Sequence, residues 1–410
     1  MSLFIHQWLD TLDSMGNTDA GMMRLCFSAA EIAAKNYIAG LMRQYGMEVR
    51  YDAAVNLIGR IPGLKEDAPV VAVGSHLDSV PHGGRYDGVL GVLSGLEVAR
   101  HIFENGLKPY HSFEVIAFSN EEGARYVNTL FGSEVMMGTF PSAKIFDDAL
   151  YTDSDGIPIA QALRQAGGDP ENLVSSARPA SDFKAFLELH IEQGAVLDSL
   201  GIPLGVVTGI AAPVRYSLKL TGRADHAGAT PMKLRKDALA GAAEIILALE
   251  RLTPEAGPAA VGTVGRILVE PNALNIISGA VTVWFDLRDS DLSVRNSLVA
   301  SLRETVKQIC LRRGLTEQWT ELASLTPVGL NESILALIED SCRSLGFPSH
   351  RMVSGAAHDA MTLARNLPVG MIFVPSVDGV SHSPKEKTRP ADIDAGVAVL
   401  KETVLKLLEK

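Results

Sequence analysis

A chain of 410 residues, 47% of them apolar, has material for two domains of ordinary size. Its formal net charge of -11, with no long basic patch, argues against a nucleic-acid partner. The three cysteines, Cys26, Cys310 and Cys342, are too widely spaced for a thiolate cage and cannot all pair, which favours a reducing compartment.

The N-terminal segment lacks the basic-then-apolar pattern of a secretory leader, and no later stretch has the length to span a bilayer. A cytoplasmic protein without a membrane partner is the expectation. Residues 28–45 have helical spacing and lead into the alternating Met47-Glu48-Val49-Arg50-Tyr51, an early α/β signal. Val70-Val71-Ala72-Val73 and residues 113–118 read as buried strands, with a helix over 89–104 between them. Residues 185–191 form another apolar strand, ending at His190-Ile191-Glu192-Gln193-Gly194.

Beyond Gly209 the pattern changes. A strand at 216–220, a helix around 234–252, a strand over 281–287 and a helix from 292 to about 313 suggest a compact α+β insert. After Thr326-Pro327, a helix near 333–345, the strand 369–374 and a helical stretch 393–407 restore the earlier character. The division expected is 1–212 and 328–410 as two segments of one α/β domain, interrupted by 213–327.

Chemistry gathers at the strand ends, where open α/β sheets form their crevices. In Gly74-Ser75-His76-Leu77-Asp78-Ser79, His76 and Asp78 lie two apart and can face the same side of an extended segment. Asp87 follows a glycine-rich turn and can fold back as a bridging carboxylate. With His190, Glu122 and His382 it would complete a dinuclear metal site, while Asp78 accepts the second imidazole N–H of His76. Of the adjacent Glu121 and Glu122, one can bind metal while the other serves as general base; Glu121 is the candidate base, although adjacency does not settle the order.

Each of these residues alone also fits an ordinary turn or a satisfied histidine. Their recurrence at four strand ends is what favours a metal centre. The glycines of 88–95 lack a dinucleotide fingerprint and suit a tight turn with close helix packing. His82 has a weaker case, consistent with plain solvent exposure.

The ordered set Gly74-Ser75-His76-Leu77-Asp78-Ser79, Glu121-Glu122-Gly123-Ala124-Arg125, Glu188-Leu189-His190-Ile191-Glu192-Gln193-Gly194 and Asp378-Gly379-Val380-Ser381-His382-Ser383 resembles a known family over nearly the whole chain. It is similar to the dinuclear-metal amidohydrolases that include N-carbamoyl-L-amino-acid hydrolases, allantoate amidohydrolases and β-ureidopropionases, within the aminoacylase and carboxypeptidase superfamily. The resemblance implies His76, Asp87, Glu122, His190 and His382 as ligands of two divalent ions per subunit, with Zn, Mn, Co and Ni all compatible. It also implies Glu121 as base and acid, Asp78 as support for His76, and a smaller dimerisation/lid domain that makes the protein a homodimer.

Within the insert, the same resemblance marks His226 as an oxyanion and substrate ligand supplied by the neighbouring subunit. Asn275 and Arg288 are implied to hold a substrate carboxylate, with Gln193 nearer the metals and Gly355, Ala356 and His358 also at the substrate. The plainer readings are a turn cap for His226, a self-bonded loop for Asn275, an ion pair with Asp286 or Asp289 for Arg288, and a capped turn for residues 354–359. The substrate expected is a carboxylate-bearing ureido compound, first an N-carbamoyl-L-amino acid giving free L-amino acid, carbon dioxide and ammonia. Allantoate is the runner-up, with ureidoglycolate and N-carbamoyl-β-alanine behind it. A metal-stabilised binding protein without catalysis is the non-enzymatic alternative. Gly209 and residues 326–328 are the expected hinges of lid closure.

Overall fold

Four apolar runs form the centre of the first of two compact units: Val70–His76, Phe113–Phe118, Phe183–Ile191 and Val369–Val374. The computed structural model describes residues 3–126, 128–148 and 151–410. This unit comprises the chain up to Thr208, Leu330–Met352 and His358–Lys410. The four strands are parallel neighbours, with Val374 opposite Ile191, Val73 opposite Leu187 and His76 opposite Phe118. Burial on both sheet faces explains why they read as continuous apolar runs rather than alternating ones.

Antiparallel strands flank this centre. Leu204–Ile210 pairs with Val369–Val374, while Leu57–Ile61 pairs with Phe113–Phe118 and then with the edge strand Glu48–Tyr51. Along the chain, the next parallel strand after Val70–His76 lies on one side of it and the following one on the other. The order therefore reverses between Val70–His76 and Phe183–Ile191, the position where doubly wound sheets open a crevice at the carboxyl ends of their strands.

Helices Val89–Glu104 and Pro390–Leu408 each pack on three of the central strands. Gly91 permits that approach, since a Cβ there would stand 2.6 Å from the Leu189 carbonyl oxygen. The expected helical spans are found with small shifts. The first runs Ala29–Gln44 and is capped by Ser28, which accepts the Glu31 N–H. The one near 333–345 is Glu332–Leu345, capped by Asn331.

The second unit comprises Gly209–Gly329 with Val353–Ala357. Its antiparallel sheet has the order Val261–Glu270, Ala280–Asp289, Ala212–Thr221, Thr316–Ser324. Alternate residues of Ala280–Asp289 are buried, as expected for a sheet with one covered face. Helices Ala238–Ala256 and Leu292–Arg313 supply that cover, meeting Leu218, Val283 and Phe285 with Ile245, Leu249, Leu302 and Val306. The helix expected at 234–252 begins four residues later, because Asp237 caps it by accepting the Leu239 and Ala240 N–H groups. Among the described residues, no helix is long and apolar enough to cross a membrane.

Candidate metal centre

The parallel register brings the first unit's candidate residues to one end of the sheet. His76 is the last residue of its strand and His190 the penultimate residue of the neighbouring one. Glu121 and Glu122 follow Phe113–Phe118, and His382 follows Val369–Val374. Asp87 stands before helix Val89–Glu104, where Gly88 at φ 67° turns the chain. A Cβ on Gly88 would collide with the His76 ring, so glycine is required for close approach as well as for the turn.

Two donor clusters share Asp87. His76, Asp87 and His190 form one, and Asp87, Glu122 and His382 the other, each with ligand atoms within 4.8 Å of one another. Asp87 Oδ1 lies 3.4 Å from His76 Nε2 and 3.2 Å from His190 Nε2. Its Oδ2 lies 3.4 Å from His382 Nε2, which is 3.5 Å from Glu122 Oε2. Donors about 2.1 Å from a tetrahedral ion stand about 3.4 Å apart, so the spacing fits two ions bridged by one carboxylate.

Hydrogen bonding points the same way. His76 Nδ1 lies 3.0 Å from the Asp78 carbonyl oxygen and His190 Nδ1 2.9 Å from that of Ile191. Each ring thus keeps a proton on Nδ1 and turns Nε2 toward Asp87. His190 Nε2 also accepts the Gly88 N–H at 3.2 Å, which fixes the same tautomer. Imidazole nitrogens and carboxylate oxygens converging at one end of the sheet, most of them buried, suit a cation. The centre is a dinuclear metal-binding site.

Its electrostatics agree. Burial disfavours charge on His76, yet the Glu121, Asp87 and Asp78 carboxylates outweigh it and hold the imidazole well above its ordinary value. The hydrogen bond that its imidazole donates to Asp87 leads in raising His382 to about 9. Asp87 is held well below the usual carboxylate range, its burial overcome by His190, His382 and His76. Burial, and then Asp87, pushes Glu122 up to about 7. Burial also pushes Glu121 well above its ordinary value, with Glu122, Asp359 and Asp78 adding to it against His76. A field that raises proton affinity this way also attracts divalent ions.

The adjacent glutamates diverge. Glu122 joins His382, whereas Glu121 Oε2 lies 3.6 Å from His76 Nε2 and outside both clusters. The expectation for Asp78 needs correcting. Its backbone carbonyl takes the His76 ring proton, and its side-chain oxygen is farther off at 3.7 Å. The carboxylate instead accepts the N–H groups of Glu121 (3.3 Å) and Glu122 (3.2 Å), ordering the segment that carries both glutamates.

Gln193 joins the second cluster. From a backbone at φ 60° its Nε2 donates to Asp87 Oδ2 at 2.7 Å and lies 3.3 Å from His382 Nε2. His358 is buried, its ring edge-on to His190 at 4.5 Å between centroids, and burial followed by the His190 charge holds it well below the ordinary histidine value. His82 is exposed on a turn whose N–H meets Met23 Sδ.

Two buried side chains escaped sequence reading. Glu188 Oε1 accepts the Ser75 hydroxyl at 2.7 Å, its Oε2 accepts the Ala360 N–H, and it forms a further buried donor group with His190 and His358. Glu386 accepts the N–H groups of Tyr86 and Asp87. A carboxylate inside the apolar strand of residues 183–191 was the available signal for Glu188; for Glu386 there was none beyond its nearness to His382.

The remaining candidates lie in the second unit. His226 is exposed, and its Nδ1 accepts the Gly228 and Ala229 N–H groups, both at 3.1 Å, leaving Nε2–H free to donate outward. Asn275 is exposed in the turn before Ile276–Ile277, and its carbonyl accepts the Ala227 N–H. Arg288 makes the ion pair weighed from the sequence, donating to Asp286 through Nε at 2.7 Å and Nη2 at 3.1 Å. Its Nη1 donates to the Gly355 carbonyl at 2.8 Å, which ties Val353–Ala357 into this unit. Ser354 Oγ accepts the Ala356 N–H, making a small local turn.

The model of peptidase family M20/M25/M40 matches residues 72–406. An N-carbamoyl-L-amino acid amidohydrolase of Geobacillus stearothermophilus is 44% identical, the match covering 95% of this chain and 94% of that protein. An allantoate amidohydrolase of Bacillus subtilis (strain 168) is 35% identical over 98% and 97% of the two chains. The crystal structure of a hydantoinase/carbamoylase family amidase from Burkholderia multivorans superposes with a TM-score of 0.92 at 34% identity, covering 99% of this chain and 98% of that one. The chain belongs to peptidase family M20/M25/M40 and, within it, to the hydantoinase/carbamoylase amidohydrolases, metal-dependent enzymes with a discontinuous catalytic domain and a dinuclear site.

Proposed function

We propose that the chain hydrolyses N-carbamoyl-L-amino acids to the free L-amino acid, carbon dioxide and ammonia. The observation that carries the reading is the pair of donor clusters bridged by Asp87, with the unligated carboxylate of Glu121 beside them. His76, Asp87, Glu122, His190 and His382 are the residues that would hold the metals, and the nitrogen and oxygen donor set suits Zn, Mn, Co or Ni. Two divalent cations bound there supply Lewis acidity for a ureido carbonyl and make water nucleophilic at neutral pH.

The chain's own groups then divide the work. Glu121 takes a proton from the attacking water and returns it to the departing nitrogen, and its buried position favours holding that proton in transit. Asp78 keeps Glu121 and Glu122 in place through their backbone N–H groups. His226 offers Nε2–H to the developing oxyanion, and in this reading it serves the neighbouring subunit. Arg288 has guanidinium N–H groups beyond those taken by Asp286 and Gly355, which suit a substrate carboxylate, with Asn275 as an amide partner. Gln193, Gly355, Ala356 and His358 complete the substrate surroundings.

Homodimer formation through the second unit, with that unit acting as a lid, is part of the same proposal. It is supported by exposed Val261, Ile267, Leu268, Leu274 and Ile276, apolar side chains that favour cover. A cytoplasmic location is proposed from the cysteine content alone.

The deciding measurement is turnover of a panel of N-carbamoyl-L-amino acids, allantoate, ureidoglycolate and N-carbamoyl-β-alanine after reconstitution with each metal. We expect the first class to be preferred. Glu121→Gln should lower kcat about 10²- to 10⁴-fold while the metals are retained. Selective allantoate turnover would move the assignment to that substrate, and no turnover of any ureido compound would overturn it.

A further inference from the structure

Glu386 is buried although it lies in a loop four residues beyond His382. A turn in which its N–H donates to the Ser383 carbonyl folds it back toward Asp87. Its Oε1 accepts the backbone N–H groups of Tyr86 at 2.9 Å and Asp87 at 3.2 Å. Its Oε2 lies 3.0 Å from Ser381 Oγ, which is itself 3.2 Å from Asp87 Oδ2, so one hydroxyl proton is shared between two carboxylates. Gly84 makes room for this arrangement, because a Cβ there would collide with the Glu386 carboxyl group.

A bridging carboxylate must aim its two oxygens at different ions, which requires control of both its backbone and its rotation. Here Oδ1 faces His76 and His190 while Oδ2 faces His382 and Gln193. The two N–H groups held by Glu386 fix where the Asp87 side chain leaves the chain, and Ser381 limits how its carboxylate turns. The same contacts join the loop of residues 84–88 to the loop bearing His382. We propose that Glu386, acting with Ser381, is a positioning residue for the metal pair, locking Asp87 in its bridging orientation against the His382 loop. The inference rests on the ligand assignment proposed above.

The test titrates metal-free protein with Co²⁺ against a chromophoric chelator and records the visible d–d spectrum of the loaded forms. Glu386→Ala should weaken at least one of the two Co²⁺ affinities about 10- to 100-fold and alter the spectrum. Glu386→Gln keeps an oxygen acceptor for the two N–H groups and should lose less. Ser381→Ala, which leaves the backbone contacts intact, should lose least while still changing the spectrum.

A merely structural role would lower the melting temperature of the metal-free protein and leave affinities and spectrum alone. That result in Glu386→Ala would overturn the inference. If Glu386→Ala does not fold, wild-type affinities and spectra in both Glu386→Gln and Ser381→Ala would overturn it equally. Asp87→Asn separates the two levels of the argument. Retention of both ions by that variant sinks the ligand assignment, whereas their loss from Asp87→Asn but not from the Glu386 variants sinks only the positioning role.

Discussion

Both units have apolar cores, but most of the buried charge lies in the first. The first encloses Glu31, Lys35, His76, Asp78, Asp87, Glu121, Glu188, His190, Asp359 and Glu386 within its sheet and loops. The second has a core of Val214, Leu218, Leu220, Ile245, Leu249, Val283, Phe285, Leu298 and Leu302, with its candidate substrate residues toward the surface. Buried charge is costly unless it is paired or coordinates metal. Some of it in the first unit is paired, as where Lys35 Nζ lies 2.7 Å from Glu31 and donates to Ser119 Oγ and the Val55 carbonyl. The carboxylates around Asp87 outnumber such partners. The contrast assigns cation dependence to the first unit and ordinary apolar cohesion to the second.

Metal removal is the strongest way to break that comparison. An ion at a thousandfold excess over its dissociation constant stabilises the native state by about 4 kcal/mol, and two ions act on one unit. Differential scanning calorimetry with and without a chelator should therefore show the first unit's transition falling by many degrees while the second unit's moves little. Equal shifts in both transitions would refute the division of roles.

Leu302→Ala probes the other side. Leu302 is buried against the four-stranded sheet, and truncation of such a side chain costs about 2–5 kcal/mol. The expected result is a lower melting transition for the second unit with Co²⁺ affinity at the metal centre unchanged. A loss of metal affinity would mean that the centre depends on the packing of that core.

Gly88→Ala should have a smaller effect on stability and a more localised one. The added methyl group needs space occupied by the His76 ring and a backbone at φ 67°, a conformation costing about 1–3 kcal/mol for strained residues. Weaker metal binding accompanied by a modest loss of stability is expected in calorimetric titration. Wild-type affinity would show that His76 can move aside without cost to the centre.

The sequence made the first unit's strands readable because double burial demands long apolar runs such as Val70-Val71-Ala72-Val73. Helix Val89–Glu104 was equally plain from its periodicity. Strand Thr316–Ser324 was hidden, since Thr316, Glu317, Gln318, Thr320 and Glu321 are exposed polar residues whose pairing with Ala212–Thr221 supplies what their composition does not. Within the site, ligand types at strand ends were visible, but the direction of a hydrogen bond was not. Asp78 was legible as support for His76, yet only the fold reveals that its carbonyl serves the imidazole while its carboxylate serves Glu121 and Glu122. Glu386 was invisible for a related reason: a loop glutamate acquires its role from backbone N–H groups nearly three hundred positions away.

The smallest predicted effect concerns Asp286, which binds Arg215 Nε at 2.8 Å as well as Arg288. Burial raises this carboxyl, but the hydrogen bonds from Arg288 and then Arg215 overcome it and hold the carboxyl below its ordinary value. Because the folded pKa is depressed, its contribution to stability is present above the unfolded value of about 3.9 and is lost as pH falls through the lower folded value. The group is half-buried and its guanidinium partners are partly exposed, so solvent screening limits that contribution to under about 1 kcal/mol. Asp286→Asn should accordingly flatten the acid limb of the second unit's stability curve only slightly. It should raise the KM for a carboxylate-bearing ureido substrate more than it lowers kcat, because Arg288 loses the partner that orients it. An unchanged KM together with a large loss of stability would make this triad structural and remove Arg288 from the substrate site.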